Sequence, residues 1–178
     1  MKNGSIIAAE KTALLTQILA SSLESIGLFN EEKVSLKDLA LQKDLPAFYE
    51  RWLTTSIRHL QEQNLLDSDL RFTAKTLPLN VLWQDWDEKK QVWLQSASQE
   101  TMVVLLEHCM RALPEILTGK CLATDVMFPG SSMKLVEGIY KNNPVADYFN
   151  EVMGHTLVAS IKQALAADPT AQLRIIEI

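Results

Sequence analysis

The sequence predicts a mainly α-helical chain with a winged-helix-like amino-terminal unit and a single carboxy-terminal β-strand. Apolar residues recur every three or four positions through most of the chain, which is the spacing of a buried helix face. Residues 65–73 contain two short apolar runs around an Asp-Ser-Asp turn, as in a two-stranded wing. Leu173–Ile178 is rich in β-branched residues, which is typical of a buried parallel strand.

Composition places the chain among globular proteins. Its 178 residues are 47% hydrophobic, and its 6 glycines and 6 prolines are too few for a disordered or fibrous protein. No apolar run approaches the roughly 20 residues that span a bilayer, and the first residues lack the pattern of a secretory signal. We therefore expect a cytoplasmic protein that does not contact a membrane. The net charge of −5 argues against nucleic-acid binding.

The first predicted helix covers Ser5–Ile26. Apolar residues recur along it, and Gly27 stands where a helix would end. Such a helix either docks a partner or packs into the core of its own domain. We favour core packing, because this is the usual role of an amphipathic helix.

A winged-helix-like arrangement is predicted for residues 31–75. Ser35 and Asp38 form a capping-box-like start to a short helix, and Pro46 opens a second helix that reaches Gln63. Tyr49 is expected near the margin of the inward face of this second helix, which is formed by Phe48, Trp52, Leu53, Ile57 and Leu60.

A DNA-binding regulator is the alternative that a winged helix raises, since its second helix would enter the major groove. Arg51, Arg58 and His59 are the only basic residues on that helix, and Glu50 and Glu62 dilute their charge. Winged-helix units also occur without any DNA function, so the fold alone does not establish one. We expect no nucleic-acid partner.

Residues Thr76–Asp87 are predicted to form a connector between two subdomains, because helical periodicity lapses there. Three tryptophans, Trp83, Trp86 and Trp93, lie in or just after it. They could line a passage for an acyl or pantetheine chain, but aromatic residues at this spacing more often pack in a core. We favour packing.

A further helix is predicted from Gln91 to Leu113, where Pro114 would end or kink it. Cys109 and Cys121 form no cluster at metal-ligand spacing, so we expect two reduced cysteines and no metal site. His108 has no nucleophile or acid at a recognisable catalytic distance, which favours a packing or surface role.

Glycines and prolines interrupt the pattern after residue 118, so Ala123–Gly130 is predicted to be a loop. Ser131 would cap a helix over residues 132–141. This loop is either a pocket cover or an ordinary connection. Pro144 then begins a last helix that continues to about Ala167.

A family resemblance is carried by five short segments. Together they resemble the stretch that precedes the S-adenosylmethionine (SAM) core in C-methyltransferase domains of modular polyketide synthases. These segments are Leu113–Lys120, Asp125–Ser132, Glu137–Tyr140, Asp147–Asn150 and Leu173–Ile178. The motifs are specific from Leu113 onwards, whereas Met1 to Ala112 match only in general pattern.

The resemblance implies a division into three parts. Residues 1–80 would be the winged-helix-like unit, 81–172 a helical lid, and 173–178 the first strand of an α/β SAM-methyltransferase core that is missing here. The parent enzyme would methylate the α-carbon of a β-ketoacyl chain on acyl carrier protein. The family's catalytic histidine, its acidic partner and its SAM glycines would fall beyond Ile178. We therefore expect no catalytic residue in this chain and no activity from it alone.

The same resemblance implies where ligands would lie. Tyr148 and Phe149 are the candidates closest to the cofactor, and His155 is a weaker one. The candidates for the substrate tunnel are Met127, Phe128, Ser131, Ser132 and Tyr140. SAM would serve the full-length parent and is not expected to bind this piece. Acyl carrier protein and adjacent synthase domains would be the partners, and a non-catalytic adaptor domain of a synthase is the alternative.

Overall fold

A computed structural model describes residues 2–29, 45–94, 97–141 and 143–176, with the side chains of 2–6 and 97–100 left undescribed. Within these ranges the fold is mainly α-helical, as predicted. The described helices are α1 (Lys2–Ser25), α2 (Glu50–Glu62), α3 (Leu79–Trp93), α4 (Ala97–Leu117), α5 (Ala123–Met127), α6 (Lys134–Tyr140) and α7 (Pro144–Ala167). Single 3₁₀ turns cover Ala47–Tyr49 and Pro129–Ser131.

The chain divides into two compact units, Met1–Val136 and Glu137–Ile178. The first unit holds α1 to α5 and the wing, and α6 crosses from the first unit into the second. The second unit contains α7 and the segment after it. The predicted division of this chain after residues 80 and 172 stays a prediction.

Helix α1 organises the first unit. One part of its apolar face, Leu14 and Ile18, packs against α3 and α4 in a cluster that also contains Leu82, Trp86, Trp93 and Val103. Its carboxy-terminal part belongs to a second cluster, completed by residues from α2, the wing and α4. That cluster consists of Ala20, Leu23, Leu28, Phe29, Leu53, Ile57, Leu60, Leu66, Leu113 and Leu117. The prediction that α1 packs into the core is confirmed.

The chain leaves α1 at the predicted glycine. Gly27 has a φ of 82°, and the backbone N–H of Leu28 donates to the carbonyl of Leu23 at 3.1 Å. A left-handed residue followed by such a bond is how many helices end, because glycine reaches this conformation at little cost. The turn places Leu28 and Phe29 in the core, both buried.

The wing is present in minimal form. Leu66 and Phe72 form one antiparallel bridge, and the N–H of Asp67 donates to the carbonyl of Arg71 at 2.9 Å. Phe72 packs edge-on against Phe29 with ring centroids 5.7 Å apart. The helix predicted to start at Ser35 lies outside the described residues, so only the second helix and the wing of the winged unit are described.

Phe48 and Tyr49, directly before α2, have the opposite burial to that predicted from the sequence. Phe48 is 71% exposed, whereas Tyr49 packs against the second cluster with Trp52. The reason is the 3₁₀ turn at Ala47–Tyr49, which has about three residues per turn. Extending the α-helical period of α2 back through this turn places Phe48 on the wrong face.

The predicted connector is largely helical. Helix α3 begins at Leu79, directly after Pro78, whose φ of −57° suits a helix start. Leu82, Trp86 and Trp93 are buried along it. The indole rings lie edge to face, with centroids 5.0 Å apart for Trp86 and Trp93. The tryptophans therefore pack in the core, as favoured, and the prediction of a non-helical connector is wrong after Pro78.

Helix α4 does not end at Pro114, which was one of the two effects predicted for this proline. It continues to Leu117, and Ile116 and Leu117 are buried. Proline removes one backbone hydrogen bond from a helix interior, and burial of the following turn offsets that loss. The chain turns away from the helix at Gly119, two residues after Leu117, where φ is 71°. The single helix predicted from Gln91 is interrupted, because α3 ends at Trp93 and α4 begins at Ala97.

An ion-pair network joins α3 to α4. Lys90 Nζ lies 3.0 Å from both carboxylate oxygens of Glu107, and Arg111 contacts Glu107 at 2.9 Å and Asp87 at 3.0 Å. The Arg111 guanidinium also lies 4.1 Å from the ring centroid of Trp83. Partial burial alone would raise the pKa of Glu107, but the bonds from Lys90 and Arg111 outweigh it and hold that pKa below its ordinary value.

In the second unit, α7 begins as predicted with Pro144 in its first turn. The Asn143 side chain caps it by accepting the N–H of Val145 at 3.0 Å and that of Ala146 at 3.4 Å. Residues 173–176 form no β-pairing with other described residues. A strand needs a neighbour for its hydrogen bonds, so the predicted carboxy-terminal strand stays a prediction.

Candidate functional site

Residues 123–132 contain four of the five tunnel residues predicted from the sequence. The loop predicted at 123–130 is wrong in its first half, because Ala123–Met127 forms helix α5, and the N–H of Phe128 closes it on the carbonyl of Thr124 at 2.8 Å. The 3₁₀ turn at Pro129–Ser131 follows. Met127 and Phe128 are half-buried at this junction of helix and turn.

The backbone of this segment is unusual at two consecutive residues. Gly130 and Ser131 both have left-handed conformations, with φ values of 60° and 61°. Glycine adopts this region freely, but for serine it costs roughly 1–2 kcal/mol, because its Cβ approaches the following carbonyl. The N–H of Ser131 donates to the carbonyl of Phe128 at 2.9 Å, which helps to hold the turn.

The two serines have different roles from those predicted. Ser132 Oγ accepts the N–H of Lys134 at 3.3 Å, so Ser132 rather than Ser131 caps α6. Helix α6 accordingly begins at Lys134, two residues later than predicted. Within the described part of the chain, the hydroxyl of Ser131 makes no hydrogen bond, and Ser131 is exposed. Of the two serines, Ser131 is the more exposed.

The predicted cofactor residues form an aromatic pair on the first turns of α7. Tyr148 and Phe149 lie edge to face with ring centroids 5.5 Å apart. They are 61% and 63% exposed, and Tyr140 at the end of α6 is 64% exposed. The structure thus brings Tyr148 and Phe149 together in the second unit and Met127, Phe128, Ser131 and Ser132 together in the first.

Helix α7 is apolar over most of its surface, yet none of its residues is buried. Its exposed large side chains are Val145, Tyr148, Phe149, Val152, Met153, Leu157, Val158 and Leu165. The segment after it adds Ile175 and Ile176, which are 61% and 81% exposed. Because helices that are hydrophobic on all sides are normally buried, this apolar surface is the part of the molecule best suited to contact another surface.

The chemistry available here is binding rather than acid–base catalysis. The faces of Tyr148 and Phe149 carry negative electrostatic potential, which suits a sulfonium cation or a stacked purine ring. His155, the weaker candidate, is exposed on the same helix. The assignment of Tyr148 and Phe149 to a cofactor site stays a prediction.

The described residues provide neither a metal-binding cluster nor a membrane-spanning helix. Within the described ranges, no three His, Cys, Asp or Glu side chains converge to hold a metal ion. Cys109 and Cys121 are free thiols, and burial raises the pKa of Cys109. No described helix is both long and apolar enough to cross a bilayer.

One groove in the first unit has no counterpart in the sequence-based predictions. It has a volume of about 190 Å³ and lies between α1 and residues 72–77. Ser21 Oγ donates to the carbonyl of Leu77 at 2.9 Å, and Thr76 donates to Glu24, so this segment is tied to α1. No sequence motif indicates the groove, because nothing in the sequence distinguishes the serine and threonine that form it from ordinary surface residues.

The basic residues of α2 bear on the alternative of DNA binding. The imidazole Nε2 of His59 lies 2.9 Å from Thr16 Oγ on α1, so His59 is engaged within the domain. Arg51 and Arg58 remain as the exposed basic residues of α2. Two such arginines provide little neutralisation for a phosphate backbone.

The arrangement of helices matches part of two solved carbon methyltransferases. The DszA carbon methyltransferase superimposes with a TM-score of 0.64 at 24% identity, over 93% of this chain and 42% of that one. The CurJ carbon methyltransferase gives a TM-score of 0.65 at 18% identity, over 82% of this chain and 39% of that one. The fold is therefore that of a portion of a carbon methyltransferase.

Sequence comparison narrows the class further. The chain is 43% identical over 168 residues to polyketide synthase PksR of Bacillus subtilis (strain 168), and 43% identical over 169 residues to PksM of the same organism. It is 33% identical over 169 residues to ThaQ of Burkholderia thailandensis. No family model matches the chain. Each of the three sequence matches covers 93% of this chain. The chain spans only 6%, 4% and 8% of the length of PksR, PksM and ThaQ, respectively.

The chain is thus homologous to a segment of polyketide synthases and has the fold of part of a carbon methyltransferase. The resemblance drawn from its motifs is confirmed. Both findings are consistent with the amino-terminal region of a polyketide synthase C-methyltransferase.

Proposed function

We propose that this chain is the helical lid of a SAM-dependent C-methyltransferase within a polyketide synthase. The parent would methylate the α-carbon of a β-ketoacyl chain carried by acyl carrier protein. The observation that carries the proposal is the apolar surface of α7, which has no buried residue although it belongs to a chain with a well-packed first unit. A surface of this kind fits a lid that closes on a catalytic core.

The lid would use its two aromatic residues at the cofactor. SAM, when bound, supplies the methyl group on a sulfonium sulfur. Tyr148 and Phe149 would cover that end of the cofactor and exclude water, since their faces attract a cation and their bulk is apolar. The proton on the substrate α-carbon would be removed by residues outside this chain, so the lid alone would be inactive.

The substrate would pass the segment at residues 127–132. Met127 and Phe128 would contact the acyl chain through apolar surface, and the unbonded hydroxyl of Ser131 would reach a carbonyl oxygen. Tyr140 would be a further contact. Orientation of the acyl chain against the methyl donor is the contribution expected from such residues.

The test uses a longer stretch of the parent that begins with this chain and continues through the following domain. We expect SAM binding in calorimetry and transfer of one methyl group to a β-ketoacyl carrier protein by intact-protein mass spectrometry. Phe149→Ala should weaken SAM binding by about 1 kcal/mol, the worth of one aromatic contact. Phe48→Ala removes an aromatic residue of comparable exposure in the first unit and should leave SAM binding unchanged.

Failure to bind SAM, or binding without methyl transfer, would overturn the proposal. The chain would then be a non-catalytic adaptor between synthase domains. Equal effects of Phe149→Ala and Phe48→Ala on SAM binding would also remove Phe149 from the cofactor site.

A further inference from the structure

One side chain, that of Asn143, joins the end of α6 to the start of α7. Its Nδ2 donates to the carbonyl of Ile139, in the last turn of α6, at 2.9 Å. Its Oδ1 accepts the N–H of Val145 at 3.0 Å and that of Ala146 at 3.4 Å, in the first turn of α7. The amide serves both helices only in this orientation, because its nitrogen donates and its oxygen accepts. Asn143 therefore does more than cap α7.

The backbone is restricted at the same place. A residue before proline is held in extended conformations, and Asn143, which precedes Pro144, has a φ of −95° and a ψ of 111°. Pro144 fixes its own φ and has no N–H to satisfy at the start of a helix. We call the junction formed by Ile139, Asn143 and Pro144 the elbow. It is held by a side chain and by a proline together.

The elbow lies between two groups of candidate ligand residues. Tyr140, a candidate for the substrate tunnel, is the last residue of α6 and directly follows Ile139. Tyr148 and Phe149, the cofactor candidates, lie on the first turns of α7. All of these residues, like Asn143, belong to the second unit. A change of angle at the elbow would therefore move the substrate candidate relative to the cofactor candidates.

We propose that Asn143 is a positioning residue for methyl transfer, which acts by fixing the angle between α6 and α7. The proposal rests on the function proposed above and extends it to a residue outside the candidate ligand contacts. Methyl transfer requires the acceptor carbon and the sulfonium methyl group in one geometry, and a small misplacement costs much of the rate. Loss of the elbow should therefore slow methyl transfer while leaving the binding of SAM nearly intact.

Substitutions of Asn143 separate its bond to α6 from its cap on α7. Asn143→Asp keeps an oxygen for the N–H groups of α7, because aspartate caps helices as well as asparagine does. Its ionised carboxylate has no N–H to donate to Ile139. Asn143→Ser also keeps a capping oxygen and adds no charge. In both variants, amide hydrogen exchange in the first turns of α7 should match that of the unsubstituted chain, which verifies that the helix is still capped.

The angle at the elbow is measured on this chain by residual dipolar couplings of backbone N–H groups. In the unsubstituted chain, couplings from residues 137–140 of α6 should fit the alignment tensor of α7. In Asn143→Asp and Asn143→Ser they should deviate from it. Couplings that still fit in both variants would overturn the proposal. Since neither SAM nor substrate is present, this outcome does not depend on the function proposed above.

The effect on catalysis is measured in the longer protein that continues through the following domain. Both variants should lower the kcat of methyl transfer to a β-ketoacyl carrier protein more than about tenfold, and should change the Kd of SAM by less than about threefold. A residue that only caps a helix would leave kcat unchanged in both variants, because both keep the cap. That result would overturn the proposal.

A matched control removes a different side-chain hydrogen bond of α7. Ser160 Oγ donates to the carbonyl of Thr156 at 2.9 Å, away from the elbow. Ser160→Ala should leave kcat within about twofold of the unsubstituted value, and a fall equal to that in Asn143→Asp would refute the role of the elbow. Absence of methyl transfer in the unsubstituted protein would overturn the function proposed above and the catalytic role of Asn143 with it. The dipolar couplings distinguish that result from a failure of the elbow itself.

Discussion

Helices α1 and α7 have the same length, 24 residues, and opposite surroundings. Helix α1 buries Leu14, Ile18 and Leu23 against its neighbours, whereas α7 buries nothing. Both sequences carry regularly spaced apolar residues. Apolar periodicity thus predicts a helix and the face by which it makes contacts. It does not predict whether the surface that covers this face belongs to the same chain segment.

The largest expected effect lies in the cluster around α1. Trp86→Ala removes a fully buried indole that packs edge to face with Trp93 and should destabilise the first unit by about 3–5 kcal/mol. Urea unfolding followed by circular dichroism measures the change. Should this variant fail to fold, Ile18→Val at another fully buried position of the same cluster should cost about 1 kcal/mol.

The matching substitution in α7 should behave differently. Phe149→Ala removes a 63% exposed ring and should change the stability of this chain by no more than about 0.5 kcal/mol. In a longer protein that contains the core, the same substitution should destabilise by about 2 kcal/mol or more, because burial would convert an exposed ring into a packed one. Equal costs in the two proteins would show that nothing covers α7.

Acid should loosen the link between α3 and α4. Since the pKa of folded Glu107 lies below its ordinary value, its ion pairs stabilise the fold above the usual carboxyl range and are lost as pH falls through the folded pKa. Glu107→Gln should therefore lower stability at neutral pH by about 1 kcal/mol and flatten its dependence on pH below about 4.

The control for this prediction is in the second unit. Glu137→Gln breaks an ion pair with Lys141 that is open to solvent, and it should leave the unfolding midpoint unchanged. A pH dependence that persists in Glu107→Gln would assign the acid sensitivity to other carboxylates.

The smallest effect concerns helix capping. Asn143→Ala deletes the side chain that accepts the N–H groups of Val145 and Ala146, and it should weaken α7 by about 1 kcal/mol. Because α7 gains little from packing, the loss should appear as faster amide hydrogen exchange in its first turns, with α1 unaffected. Slow exchange in α7 that resists the substitution would indicate a stabilising contact.

Sequence alone predicted the elements in which helical spacing is regular and their ends carry glycine or proline. Helix α1 with its end at Gly27, α2 after Pro46, and α7 starting at Pro144 are examples. The connector predicted over Thr76–Asp87 is wrong from Leu79 onwards, because charged residues separate the tryptophans of α3 and obscure the helical period. Tertiary packing determines the elements that the sequence did not predict. In α4, for example, burial of the residues after Pro114 keeps them helical.

The candidate site could be predicted only in part. Resemblance located the segments around residues 127–132 and 148–149, and the structure pairs Tyr148 with Phe149. The choice between Ser131 and Ser132 as the cap of α6 depends on the left-handed backbone of Gly130 and Ser131. Sequence spacing does not predict two consecutive left-handed residues. The exposure of Phe48 follows from a single 3₁₀ turn that the helical period does not predict.

The positions of the tryptophans also give the first unit an optical signal of its own. All four tryptophans, at positions 52, 83, 86 and 93, lie in the first unit, whereas the second unit has only tyrosine and phenylalanine. Excitation at the red edge of indole absorption therefore reports on the first unit alone. Tryptophan emission should stay constant when α7 acquires a neighbour, and it should shift only when α1 and α3 separate. The same unlabelled sample therefore distinguishes docking from unfolding.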